Sequence, residues 1–121
     1  MPNSYIYIMS NVNLTTIYIG VTNNLERRVL EHKIGIGSKF TNKYKLKQLL
    51  YFEEGISVKD AIAREKQLKS WHHDWKWDLI KSVNPNLDDL SEGWYDEELL
   101  KGLDPESILK QVQHMVQGDK R

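Results

Sequence analysis

The chain has 121 residues, 40% of them hydrophobic and 28% charged, with 17 Lys+Arg against 17 Asp+Glu and no cysteine. Such a chain is expected to form one globular domain without disulfides or thiolate metal sites. No apolar run approaches the roughly 20 residues of a membrane span and no secretory leader is evident, so a cytoplasmic protein that does not enter membranes is expected. The zero net charge hides an asymmetry. Residues 1–83 carry 13 basic and 8 acidic side chains, whereas residues 84–121 carry 4 and 9, so the first part suits a polyanion and the second would repel one.

Taken in chain order, Tyr5-Ile6-Tyr7 and Tyr18-Ile19-Gly20 alternate aromatic and aliphatic residues with the period of two that marks a strand. Joined through Ser10-Asn11-Val12-Asn13, residues 4–10 and 16–21 are predicted to pair as an antiparallel hairpin. Tyr7 and Tyr18 then share one face, and Ile6, Ile8, Ile17 and Ile19 share the other. Residues 24–33 are predicted as a short helix with Asn23 and Glu26 in capping-box spacing. Leu25, Val29 and His32 fall on its inner face with Arg28 beside them. Gly35-Ile36-Gly37-Ser38 ends that helix in a loop, which continues into the basic, aromatic segment Lys39-Phe40-Thr41-Asn42-Lys43-Tyr44. Residues 47–53 are expected as a third strand, and Ser57 with Asp60 begins a second helix over 58–70.

On that helix Val58, Ala61, Ile62 and Leu68 form an apolar stripe at helical spacing, and Glu65 falls in the middle of it. A carboxylate facing a sheet is costly without a partner. A salt bridge, a shifted pKa or a bound cation would each explain it. Residues 74–83 are expected as a third helix with Trp75, Leu79 and Val83 on one side, stopped by Asn84-Pro85. His72 and His73 point to different helix faces and suit surface contact better than metal. The Trp71, Trp75 and Trp77 group suits packing better than base stacking. Beyond residue 86 the chain turns acidic, with a last helix expected over 105–117. The expected organisation is a domain over 1–90, with an acidic segment and C-terminal helix over 91–121 packed onto it. Two positions are open for the acidic segment: near a basic face, where it would restrain polyanion binding, or packed on the opposite side through Trp94, Tyr95, Leu99 and Leu100.

The two triplets, with the residues that follow them, resemble the GIY-YIG nuclease superfamily, in particular its small standalone bacterial members related to the nuclease domain of the excinucleases. Tyr5-Ile6-Tyr7 stands where the family has Gly-Ile-Tyr, the glycine replaced but the tyrosine kept as Tyr7. Tyr18-Ile19-Gly20 matches the second triplet intact. Arg28 follows Tyr18 by ten residues, where the family places its catalytic arginine, and His32 matches a histidine of several members. Ala63-Arg64-Glu65-Lys66-Gln67-Leu68 resembles the segment with the metal-binding glutamate, and Asn84-Pro85 resembles a pair near the end of the domain. Val21 stands where excinuclease members often have lysine.

The resemblance implies an α/β fold: a three-stranded antiparallel sheet flanked by helices. It also implies a divalent-metal-dependent endonuclease that hydrolyses DNA phosphodiester bonds, in repair or processing. Tyr7, Tyr18, Arg28, His32 and Glu65 would be catalytic and would converge on one patch. Tyr7 would serve as general base or water-orienting group, Arg28 as phosphate clamp, and Tyr18 and His32 as water-orienting or proton-relay groups. Glu65 would hold one Mg²⁺ or Mn²⁺ ion. Lys39, Lys43, Tyr44, Arg64, Lys69 and Asn84 are candidate substrate contacts. DNA is the expected partner, with RNA or a protein as alternatives. Two rival readings stay open: a nucleic-acid-binding module with the same fold, and a protein-interaction domain using the acidic tail.

Overall fold

The structure, a computed structural model, describes residues 3–55 and 57–96. The helix expected over 105–117, and Leu99 and Leu100, lie outside them. Three strands, β1 (Ser4–Ser10), β2 (Ile17–Thr22) and β3 (Gln48–Gly55), form one antiparallel sheet in the order β2-β1-β3. Among the described residues four helices accompany it: α1 (Leu25–Lys33), α2 (Lys39–Lys43), α3 (Val58–Ser70) and α4 (His73–Val83). This is the expected three-stranded α/β architecture, with α2 added where the sequence suggests only a loop.

The hairpin has the register the alternation predicts. Tyr7 pairs with Gly20, Ile8 with Ile19 and Met9 with Tyr18, so Tyr7, Met9 and Tyr18 share one face and Ile6, Ile8 and Ile19 the other. The connection is held by Asn11. Its Oδ1 accepts the Thr15 and Thr16 amides at 2.9 and 3.1 Å, and its carbonyl accepts the Leu14 amide. On the far side of β1, Tyr7 pairs with Phe52 and Ile8 with Tyr51, with a bulge between Ile8 and Met9.

Each face of the sheet has its own core. On the aliphatic face Ile6, Ile8, Ile19, Leu50 and Tyr51 pack with Ala61 and Leu68 of α3 and Ile80 of α4. On the aromatic face Tyr7, Met9 and Leu49 pack with Leu25 and Val29 of α1 and with Leu46. Leu90, Trp94 and Tyr95 join this second cluster, so the acidic segment, as far as residue 96, packs on the face that carries Tyr7, not on the opposite one. Two hydrogen bonds knit it to the β3 backbone: the Leu90 amide donates to the Leu49 carbonyl at 2.8 Å, and the Asp89 carboxylate accepts the Leu49 amide at 3.1 Å.

Several local expectations shift. The N-cap of α1 is Asn24, not Asn23, and its side chain accepts from the Arg27 amide. In α3 only Ala61 and Leu68 of the four-residue stripe are buried, because the helix meets the sheet along a narrow line and leaves Val58 and Ile62 outside. In α4 the inward residues are Ile80, Trp77 and, of the three expected, Leu79, while Trp75 and Val83 are 58% and 64% exposed. The packing side of α4 is thus rotated from the one its apolar spacing suggests.

Candidate active site

Tyr7 lies on the central strand, 1% exposed, and leans across to its pairing partner. A Cβ on Gly20 would come within 2.5 Å of the Tyr7 hydroxyl, so this position accepts only a residue without a side chain while the ring stays in place. Gly20 is thereby a steric requirement of Tyr7. The same relation recurs at Gly37, where a Cβ would come within 2.1 Å of His32 Nδ1.

Two groups on α1 meet the phenol oxygen. Arg28 Nε donates to it at 3.2 Å, and His32 Nε2 lies 2.9 Å away. Arg28 and His32 are four residues apart, so one helical turn brings both to the same side, the side on which Leu25 and Val29 are buried. Arg28 Nη1 donates to Glu31 Oε1 at 2.7 Å, and Glu31 also accepts from Arg27. Tyr18 completes the group by ring contact, with centroids 6.2 Å from Tyr7 and 5.6 Å from His32.

His32 is fully buried and bonded at both nitrogens. Its Nδ1 lies 3.0 Å from Thr41 Oγ1, and Thr41 is held by Ser38, whose Oγ caps α2 by accepting the Thr41 amide. A continuous path therefore runs from Ser38 and Thr41 through His32 and Tyr7 to Arg28. Thr41, Gly20 and Gly37 are not among the residues that the sequence singles out for the site. Signals for them exist: Ser38 stands three residues before Thr41 in cap spacing, and Gly37 five residues after His32.

Burial sets the protonation states. It pushes the Tyr7 phenol up to about 12, against the lowering pull of the Arg28 hydrogen bond and charge. It also brings His32 down to about 4, with the Arg28 charge acting in the same direction. Burial works against the charged Arg28 as well, but its bonds to Glu31 and Tyr7 outweigh this and raise its pKa. At neutral pH the trio is therefore a neutral phenol, a neutral imidazole and a fixed cation.

Glu65 is placed differently. It lies on α3, on the same stripe as Ala61 and Leu68, which pack on the aliphatic face, and α3 runs chiefly along β2. Its side chain is 19% exposed and pairs with Lys69 Nζ at 3.0 Å, the salt-bridge option among the three that its phase leaves open. No hydrogen bond or ion pair among the described residues joins it to Tyr7, Arg28 or His32. Among the described residues no three His, Cys, Asp or Glu side chains cluster as a metal cage.

The remaining substrate candidates also fall apart in space. Arg64 donates to Glu53 Oε1 at 2.8 Å and lies over the Trp71 ring. Lys69 is taken by Glu65. Asn84 is buried; its Nδ2 donates to the Leu50 and Asp88 carbonyls and its Oδ1 accepts the Asp88 amide. Those three bonds account for Asn84 as the tie between α4 and β3. Lys39, Lys43 and Tyr44 are on or beside α2, next to Tyr18.

A buried tyrosine clamped by arginine and histidine on this sheet defines a class. The GIY-YIG catalytic domain model matches residues 3–78, and the chain belongs to the GIY-YIG nuclease family. Among particular relatives, it is 32% identical over 96 residues to a UPF0213 protein of Clostridium perfringens, covering 79% of this chain and 97% of the relative. It is 35% identical over 86 residues to a UPF0213 protein of Syntrophus aciditrophicus, covering 70% and 97%. A UPF0213 protein of Pediococcus pentosaceus is 34% identical over 86 residues, covering 71% and 90%. No solved structure matches the chain. Among the described residues no helix is long and apolar enough to cross a membrane.

Proposed function

We propose that this protein is a divalent-metal-dependent endonuclease that hydrolyses DNA phosphodiester bonds, acting in DNA repair or processing in the cytoplasm. The observation that carries the proposal is the Tyr7 hydroxyl, held at once by Arg28 Nε at 3.2 Å and His32 Nε2 at 2.9 Å. A buried phenol needs one partner for satisfaction. Two, one of them a guanidinium able to clamp a phosphate oxygen, suit a group that moves a proton beside a developing negative charge.

A phenol near 12 is ionised in only about one molecule in 10⁵ at neutral pH. Tyr7 therefore acts as a relay and not as a preformed phenolate. The attacking water gives its proton to the Tyr7 oxygen while Tyr7 passes its own to His32 Nε2. The resulting imidazolium keeps its Nδ1–H hydrogen-bonded to Thr41 Oγ1 and returns the extra proton through Tyr7 to solvent once product has left. The water oxygen bonds to phosphorus, and the leaving sugar oxygen departs with a proton from solvent. The negative charge of a bound phosphodiester beside Arg28 offsets the coulombic part of the His32 depression. That makes the imidazole a better acceptor when substrate is present.

The divalent ion that GIY-YIG nucleases generally use has one candidate ligand here, Glu65. In kind the donor fits, because Mg²⁺ is commonly held by one or two carboxylates, substrate oxygens and waters and does not need a protein cage. In place Glu65 belongs to the helix of the aliphatic face, so a substrate strand would have to pass the β2 edge, along which α3 lies, to meet both Glu65 and Arg28. Among the described residues Glu65 pairs with the exposed Lys69, an ion pair of small net worth. When bound, the ion would supply Lewis-acid stabilisation of phosphoryl oxygens.

The deciding experiment is a panel of linear, nicked, branched and single-stranded DNA with Mg²⁺, Mn²⁺ or EDTA, run with wild type and Glu65→Ala. Metal-dependent cleavage by wild type and none by Glu65→Ala, with an unchanged melting temperature, supports the proposal. Metal-dependent cleavage that survives in Glu65→Ala would move the ion to another ligand. DNA binding without cleavage under every condition would replace the enzyme with a binding module.

A further inference from the structure

An aromatic series leads away from the candidate active site. The Tyr18 ring lies 6.2 Å from Tyr7 and 6.3 Å from Phe40, and Phe40 lies 4.9 Å from Tyr44. Tyr7 is buried, but Phe40 and Tyr44 are 44% and 42% exposed, and neither belongs to either core cluster. Two large rings left in water on a five-residue helix and its C-cap contribute little to packing.

Their surroundings are uniformly basic. From His32 to Phe52 the sequence holds five lysines and no acidic residue. Lys39, Lys43, Lys45 and Lys47 are all exposed, and none forms an ion pair among the described residues. Lys43 Nζ sits 5.3 Å from the centre of the Tyr44 ring. A groove of about 420 Å³ continues past Tyr44 between the hairpin loop, at Asn11 and Val12, and Lys45 and Lys47.

We propose that Phe40 and Tyr44 form a base-stacking subsite that takes unpaired bases of a single DNA strand, next to the phosphate held at Arg28. The proposal rests on the nuclease reading above and adds the strand state of its substrate. Aromatic faces bind bases without regard to sequence, and surrounding lysines follow the backbone. In a duplex the base faces are covered by their neighbours, so a ring can stack only on a base that has left the helix. The two rings are too close to admit a base between them, so bases stack on their outer faces and the strand runs along the series into the groove. Helix α2, about 7.5 Å long at 1.5 Å per residue, is too short to read a major groove.

The test is fluorescence anisotropy in EDTA with labelled oligo(dT), a duplex of equal length and oligo(rU), using wild type, Phe40→Ala, Tyr44→Ala and Phe40→Leu. Both residues are exposed, so melting temperatures should hardly change. Oligo(dT) is expected to bind at least tenfold more tightly than duplex. Each alanine variant should lose about tenfold on oligo(dT) and almost nothing on duplex, with the salt slope unchanged because no phosphate contact is lost. Phe40→Leu should behave like Phe40→Ala if stacking, not apolar bulk, is the source. Equal affinity for duplex, wild-type affinity in both alanine variants, or a preference for oligo(rU) would overturn the subsite. A parallel cleavage assay separates the two proposals. Duplex cleavage indifferent to Phe40 and Tyr44 sinks the subsite and leaves the nuclease, whereas strand binding without cleavage in any metal sinks the nuclease.

Discussion

The two faces of the sheet are built from the same three strands and do different work. The aliphatic face is closed by α3 and α4 over Ile6, Ile8 and Ile19, residues with no polar atoms beyond the backbone. The aromatic face buries Tyr7 and His32, and no buried side-chain polar atom among the described residues lacks a hydrogen bond. Polar groups in a core are tolerated only when each is satisfied. Here the partners are chemical groups of use to a nuclease. One face supplies stability, and the other spends part of its burial on an arrangement of phenol, imidazole and guanidinium.

That division can be tested by substitutions on either side. Tyr7→Phe keeps the ring and removes only the oxygen that Arg28 and His32 share. DNA cleavage should fall by about 10²–10⁴-fold, with the protein still folded by circular dichroism. Activity within about threefold of wild type would remove Tyr7 from the chemistry. On the other face Leu68→Ala should destabilise the fold by about 2–5 kcal/mol in urea titration, while activity per folded molecule is unchanged.

A pH titration tests the aromatic face alone. The folded pKa of His32, about 4, lies below its unfolded value, about 6.5. Between them the unfolded chain binds more protons than the folded one. Stability is therefore full above the unfolded value and falls as pH drops from about 6.5 to about 4, by on the order of 3 kcal/mol. Urea midpoints at pH 7 and pH 4.5 measure this, and His32→Gln should flatten that part of the profile. The smallest effect belongs to the outer edge of the aliphatic face. Lys69→Ala removes an exposed i,i+4 ion pair and should change stability by less than about 1 kcal/mol. A larger loss would show that Glu65 depends on Lys69 for more than surface pairing.

The same contrast separates what the sequence discloses from what it withholds. Alternation of Tyr and Ile fixes side-chain faces once pairing is assumed, so the hairpin and the shared face of Tyr7 and Tyr18 are legible, as is the inner side of α1. The inward phase of Glu65 is legible too, but not the sheet face its helix covers. A helical wheel gives direction relative to the helix axis and carries no information on which side of a sheet the helix docks. Apolar spacing misleads in part in α4, because Trp75 and Val83 are outside although they share a side with Leu79, which packs inward beside Ile80. Helix α2 is barely longer than one turn, too short for any periodicity to register. The roles of Gly20 and Gly37 depend on side chains folded over them from elsewhere in the chain.

The position of Tyr7 on the middle strand has a consequence for motion. Both edges of β1 are paired, to β2 and to β3, so its amides can open only by taking apart the whole sheet. In hydrogen exchange, the Tyr7 and Ile8 amides should be among the slowest, exchanging at the rate set by global unfolding. The amides of α2, closed by little more than one turn of hydrogen bonds, should exchange through local opening, orders of magnitude sooner. The Tyr7 oxygen is thus anchored to the slowest-opening element, while α2 beside it, where the proposed single strand would arrive, can rearrange without disturbing it.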